Sequence, residues 1–167
     1  MITIFTDASH CPNTNAAGWG AWAKRDGWPQ GIVIGGPIRT EVLNSGEAEI
    51  AAMANALSRL VKEDLLPVGQ TIMLQADSHR ALQVVAGAIP EAKVHQHADS
   101  VPWTGTAICL SPLEKRAAAV IKEMTAGRTI YLRHVKGHRG GGGRNWVNRT
   151  CDQIAKTHMR KQRAQRK

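Results

Sequence analysis

The stretch TIMLQADSHRALQVVAGA, residues 71–88, decides the fold. Its first six residues are mostly apolar and suit a strand, which stops on an acid, Asp77. HRALQVVAGA (79–88) then spaces its apolar residues as a short helix does. A second helix, LEKRAAAVIKEMTA (113–126), precedes another strand, RTIYLRHV (128–135). Strands joined through helices pair parallel, because the crossover must return the chain to the same edge of the sheet.

Upstream, MITIFTD is a strand that also stops on an acid, Asp7. HCPNTNAAG, rich in Pro, Asn and Gly, is a turn. GWGAWAKR (18–25) and GWPQGIVIGG (27–36) are two more strands, with Asp26-Gly27 suited to the hairpin between them. From Ser45 to about Lys62, Ile50, Met53, Ala54, Leu57 and Val61 fall at helical spacing, with Ser45 as the expected N-cap and Pro67 and Gly69 beyond the end. Residues 89–112 read mostly as a long loop, KGHRGGGGRN as an unstructured loop, and Trp146 to Gln162 as a last helix. The expected architecture is α/β. One mixed five-stranded sheet, a three-strand antiparallel meander plus two parallel strands, carries helices packed on it. The domain spans 1–159, and 160–167 form a basic C-terminal tail.

The 167 residues suffice for one domain with a real core, and 43% are hydrophobic, which excludes a disordered composition. No apolar run approaches a membrane span, and no basic stretch followed by an apolar region opens the chain, so neither a membrane partner nor a signal peptide is expected. Cys11, Cys109 and Cys151 are odd in number and widely spaced, which suits a reducing cytoplasm better than a disulfide framework. The net charge of +9 favours a polyanionic partner, but five of the positive charges sit in the last ten residues.

Four acids can meet in this arrangement. Asp7 and Asp77 end strands, and functional groups gather beyond the carboxyl ends of parallel strands. An acid in the first turn of the first long helix and Asp152, early in the last, can point at the same spot. Converging carboxylates repel and need a counter-charge, which hard divalent cations supply. Such clusters holding two Mg²⁺ ions catalyse in-line displacement at phosphorus. Glu47 and Glu49 both stand at the helix start, about 200° apart on the helix, and periodicity alone admits either.

Taken together, FTDAS (5–9), GWGAW (18–22), AEIAAMANAL (48–57), ADSHRAL (76–82), HVKGH (134–138) and NRTCDQIA (148–155) resemble, in order and almost end to end, the motifs of type 1 ribonuclease H, the bacterial ribonuclease HI family. The resemblance implies an endonuclease that hydrolyses the RNA strand of RNA–DNA hybrids by two-metal-ion chemistry, leaving 5′-phosphate and 3′-hydroxyl ends. It implies Mg²⁺ as cofactor, with Mn²⁺ as substitute. It carries the metal-binding and catalytic roles to Asp7, Glu49, Asp77 and Asp152, choosing Glu49 over Glu47. It makes His138 a histidine that moves protons or helps product leave, a task that suits imidazole near neutral pH. Ser9, Asn13, Ser45 and Asn148 are the expected substrate contacts, where the 2′-hydroxyls of RNA are read. Trp103 and Trp146, near loops, are candidates to stack on sugars. A monomer is expected. The alternatives are a DNA nuclease of the same fold, resembling a junction resolvase, and a non-catalytic hybrid-binding domain. A zinc pair of His134 and His138 is disfavoured, since that spacing needs a helix and Gly137 intervenes in a strand-like stretch.

Three features depart from the family pattern. NSGEAE (44–49) replaces an Asn pair before the catalytic Glu. Residues 86–112 hold one Lys and no Arg where some members carry a basic protrusion. The loop from His138 to Asp152 is longer than usual, with Gly140–Gly143 in it, and is expected to be mobile.

Overall fold

Ile2, Ile4, Ile72, Leu74, Ile130 and Leu132 alternate along three strands, and all are buried on one face of a sheet. The structure, a computed structural model, describes residues 1–95, 109–136 and 143–166. Its elements are β1 (Ile2–Cys11), β2 (Ala16–Lys24), β3 (Ile32–Pro37), α1 (Ser45–Lys62), β4 (Thr71–Ala76), α2 (His79–Ala88), β5 (Lys93–Val94), α3 (Pro112–Thr125), β6 (Thr129–His134) and α4 (Gly143–Gln165). The sheet runs β3-β2-β1-β4-β6-β5. β1 to β3 form the antiparallel meander, and β4, β6 and β5 are parallel.

The mixed sheet is as expected, with six strands instead of five. The extra strand is the two-residue β5, in which Lys93 and Val94 pair with Tyr131 and Leu132. Two residues carry no periodicity, so the sequence shows no sign of it.

The helices divide between the faces. Ala48, Ile50, Met53, Leu57 and Leu60 of α1 are buried against the apolar sheet face, where Leu82 and Val85 of α2 and Leu113 and Ile121 of α3 join the same core. The cap of α1 is Asn44, one residue before the expected Ser45. Its extended backbone (φ −156°, ψ 169°) lets Oδ1 accept from the Glu47 amide at 2.9 Å. α4 lies on the other face, against β1, β2 and β3. Glycines make that contact possible. A Cβ on Gly18 would stand 2.2 Å from the Ala155 carbonyl oxygen, and one on Gly20 would stand 2.3 Å from that of Cys151.

α4 is longer than expected at both ends. It starts at Gly143, so that glycine belongs to a helix rather than to a loop; Gly140–Gly142 and His138 lie outside the described residues. At its other end it continues to Gln165, so most of the expected tail is helix. Gln162 pins that end to the sheet: its Nε2 donates to the Ile38 carbonyl and its Oε1 accepts from the Ala17 amide, both at 2.8 Å. Among the described residues, no helix is long and apolar enough to cross a membrane.

Candidate active site

β1 pairs with β2 over Thr3–Cys11, but with β4 only over Ile2–Phe5. Phe5 lies opposite Gln75, the last pair of that parallel ladder. Asp7 and Asp77 each stand two residues further on, where the two strands part. Asp7 therefore does not end β1, which continues to Cys11 along β2; what ends there is its contact with β4. A strand repeats its facing every second residue, so Phe5 and Asp7 share a face. It is the face that α4 covers.

Glu49, on the second turn of α1, reaches the same gap from the other side of the sheet. Asp7, Glu49 and Asp77 each offer a carboxylate oxygen within 4.8 Å of the others. Glu47 is spent elsewhere: it is buried, and its Oε2 accepts from the Leu43 amide at 2.8 Å, closing the start of α1. The two glutamates that periodicity leaves undecided are thus separated, with Glu49 in the cluster and Glu47 in the cap.

The cluster is under electrostatic stress. Burial, then the charge of Asp77, pushes the Asp7 carboxyl up to about 7; the Ala8 amide, donating to its Oδ1 at 2.8 Å, offsets only part of this. Burial, then Asp7 and Asp77, holds Glu49 well above the usual carboxylate range. Its Oε2 is buried without a hydrogen-bond partner. Three crowded carboxylates with an unsatisfied oxygen fit a hard divalent cation, which would supply the missing charge and the missing contact.

Asp152 approaches from α4. It is the tenth residue of that helix, deeper than the first turns expected, and its charge contributes to raising Asp7. Its Oδ2 is 2.8 Å from Lys156 Nζ, one turn on. A family model described as RNase H matches residues 1–160. The chain belongs to the RNase H family.

Solved structures agree at the level of the fold. The N-terminal RNase H domain of a Mycobacterium tuberculosis protein, solved as a fusion with maltose-binding protein, is similar with a TM-score of 0.65 at 15% identity, covering 98% of this chain and 96% of that one. RNase H1 of the archaeon Halobacterium salinarum NRC-1 gives 0.59 at 17% identity, covering 96% and 98%. LC11-RNase H1, solved in complex with an RNA/DNA hybrid, gives 0.67 at 17% identity, covering 96% and 98%. No curated protein sequence matches the chain. As an RNase H, the chain is a ribonuclease, a hydrolase of phosphodiester bonds.

The other expected site residues of this RNase H scatter around the cluster. Ser9 is half-buried on β1, two residues beyond Asp7 on the same face; Asn13 is exposed in the β1–β2 turn and Ser45 at the start of α1. Asn148 is buried on α4, one turn before Asp152, and its Oδ1 has no partner. His138 and Trp103 lie outside the described residues. Trp146 is exposed.

Two neighbours of the RNase H cluster, Lys156 and His134, make contacts beyond those expected from the sequence. Lys156 stands four residues after Asp152, a helical ion-pair spacing that was open to view. His134 donates from Nε2 to the Asp77 carbonyl at 3.0 Å and stacks on His79, ring centroids 3.6 Å apart. Those two histidines are far apart in sequence, and only the parallel pairing of β4 and β6 brings them together.

Proposed function

We propose that this RNase H is a type 1 enzyme that hydrolyses the RNA strand of RNA–DNA hybrids endonucleolytically, leaving 5′-phosphate and 3′-hydroxyl ends. The observation that carries the reading is the cluster of Asp7, Glu49 and Asp77, with its unpartnered Glu49 oxygen. The RNA/DNA hybrid bound by the similar LC11-RNase H1 supports the choice of substrate.

In this reading Asp7, Glu49, Asp77 and Asp152 hold the metal. Mg²⁺, two ions with Mn²⁺ as substitute, would supply Lewis acidity at the phosphoryl oxygens and lower the pKa of the attacking water. The protein's share is rigidity and charge. Asp7 is fixed by ladder hydrogen bonds to β2 on one side and by its own Ala8 amide. Asp77 is fixed through its backbone by His134, and Glu49 by a helix start locked through Asn44 and Glu47. Ser9, Asn13, Ser45 and Asn148 contact the sugar–phosphate backbone, where 2′-hydroxyls distinguish RNA from DNA. His138 moves a proton to or from the leaving or entering oxygen. The enzyme acts as a monomer in the cytoplasm.

The experiment is cleavage of matched substrates by the purified protein with Mg²⁺: an RNA–DNA hybrid, double-stranded RNA and a branched DNA junction. Cleavage confined to the RNA of the hybrid is expected. Preferred cutting of branched DNA would support a resolvase-like nuclease instead, and tight hybrid binding without any cutting would support a binding domain.

A further inference from the structure

From Asp152 to the end of the chain there is no further acid, while Lys156, Arg160, Lys161, Arg163, Arg166 and Lys167 follow. An α-helix turns about 100° and rises about 1.5 Å per residue. Asp152, Lys156, Arg160 and Arg163 are spaced by four, four and three residues, so they share one side of α4. The stripe begins at the carboxylate site, where Lys156 pairs with Asp152. It ends beside β1, where Arg163 reaches the Cys11 thiol at the end of the strand that carries Asp7. Arg160 and Arg163 are exposed. Lys161, equally exposed, points about 100° away from Arg160.

The side of α4 adjoining the stripe is docked. Cys151 and Ala155 are buried on glycines of β2, and Gln162 bridges Ala17 and Ile38. The charges therefore stand on a fixed rail rather than on a loose tail, which lowers the ordering cost of binding. From Asp152 to Arg163 the rail is about 16 Å long. Phosphates of one strand advance by about 3.4 Å per base pair along the duplex axis, so the rail spans about five of them. The chain needs such a grip, because residues 86–112 supply only Lys93 as a cation.

We propose that Lys156, Arg160 and Arg163 of α4 form a phosphate-backbone track that leads out of the active site and holds the hybrid on one side of it. The track rests on the reading of an RNA–DNA hybrid as substrate and adds a second contact region to it. Binding there is independent of base sequence and driven by counterion release.

The test is the salt dependence of hybrid binding, by fluorescence anisotropy in EDTA so that no cleavage occurs. The paired variant Arg160→Gln/Arg163→Gln should lower the slope of log affinity against log salt by about one to two, from about 0.9 per phosphate contact. Arg160→Lys/Arg163→Lys should restore it, and Lys161→Gln should leave the wild-type slope. Equal flattening per charge at Lys161 and in the arginine pair would overturn the track in favour of diffuse attraction, as would an unchanged slope in the pair. Cleavage of the hybrid with Mg²⁺ is measured separately on the wild type. An intact RNA strand there refutes the function, whereas a missing slope difference refutes the track alone.

Discussion

Replacing Asp7 with Asn should make the metal-free protein more stable and the enzyme inactive. Burial and Asp77 raise the Asp7 carboxyl from 3.8 to about 7. An acid with a raised pKa in the folded state binds its proton more tightly when folded. Stability is therefore lost as pH climbs from about 4 to about 7, and no more is lost above that. The shift spans about three pH units at 1.36 kcal/mol each, a ceiling of about 4 kcal/mol. Glu49, raised by burial and then by the charges of Asp7 and Asp77, titrates in the same direction and shares part of that gain. Asparagine has the same shape and keeps an oxygen for the Ala8 amide, so the change removes the charge with little else. In EDTA at pH 8, the Asp7→Asn variant should melt higher than wild type by as much as about 8–16 °C, at 2–4 °C per kcal/mol for a chain of this size. At pH 4 the gap should shrink to about 0.5 kcal/mol, because Asp7 is then protonated in folded wild type and about half protonated in the unfolded chain. Saturating Mg²⁺ should raise the wild type and narrow the gap. The assay is a calorimetric melt across pH with and without Mg²⁺. A variant no more stable than wild type in EDTA at pH 8, or one whose gain is the same at pH 4, would refute the stressed-cluster reasoning.

Glu47→Gln should keep most activity, because the amide oxygen of glutamine can still accept from Leu43; the melt should show a loss of about 1 kcal/mol from the weaker neutral hydrogen bond. Gly20→Ala would place a methyl group 2.3 Å from the Cys151 carbonyl, forcing α4 off β2 at a cost of about 1–3 kcal/mol and moving Asp152 from Asp7. Its activity should fall by more than its melting temperature explains, whereas Gly87→Ala, with open space around the new methyl, should leave activity unchanged. His138→Ala should slow turnover by about 10²–10⁴-fold without abolishing it, a range typical of acid–base assistance, and a wild-type rate from pH 6 to 9 would remove His138 from the mechanism.

Asp7 and Asp77 were legible because the first interrupts and the second ends an apolar strand pattern. The reason they lie side by side was not, since β1 runs on past Asp7 along β2 and only the shorter ladder with β4 stops at Phe5 and Gln75. The choice between Glu47 and Glu49 turns on a backbone amide, Leu43, whose position depends on how the chain enters α1. β5 owes its existence to the neighbouring strand β6 rather than to its own two residues. The start of α4 at Gly143 runs against glycine's poor helix propensity, and no local pattern announces it. Arg80 forms a two-pronged ion pair with buried Glu114 and also donates to the Cys109 carbonyl, a connection between distant segments that no local pattern announces.

In the proposed function, Asp7, Glu49 and Asp77 form one metal-dependent centre for cutting RNA paired to DNA. The most direct test labels each strand of a hybrid separately and follows both with wild type and with Glu49→Gln, in Mg²⁺ and in EDTA. The expected result is RNA fragments ending in 3′-hydroxyls from the wild type with Mg²⁺ alone, with the DNA strand whole and the variant nearly inactive. RNA cutting by the Glu49→Gln variant at the wild-type rate, or by either protein in EDTA, would contradict the account.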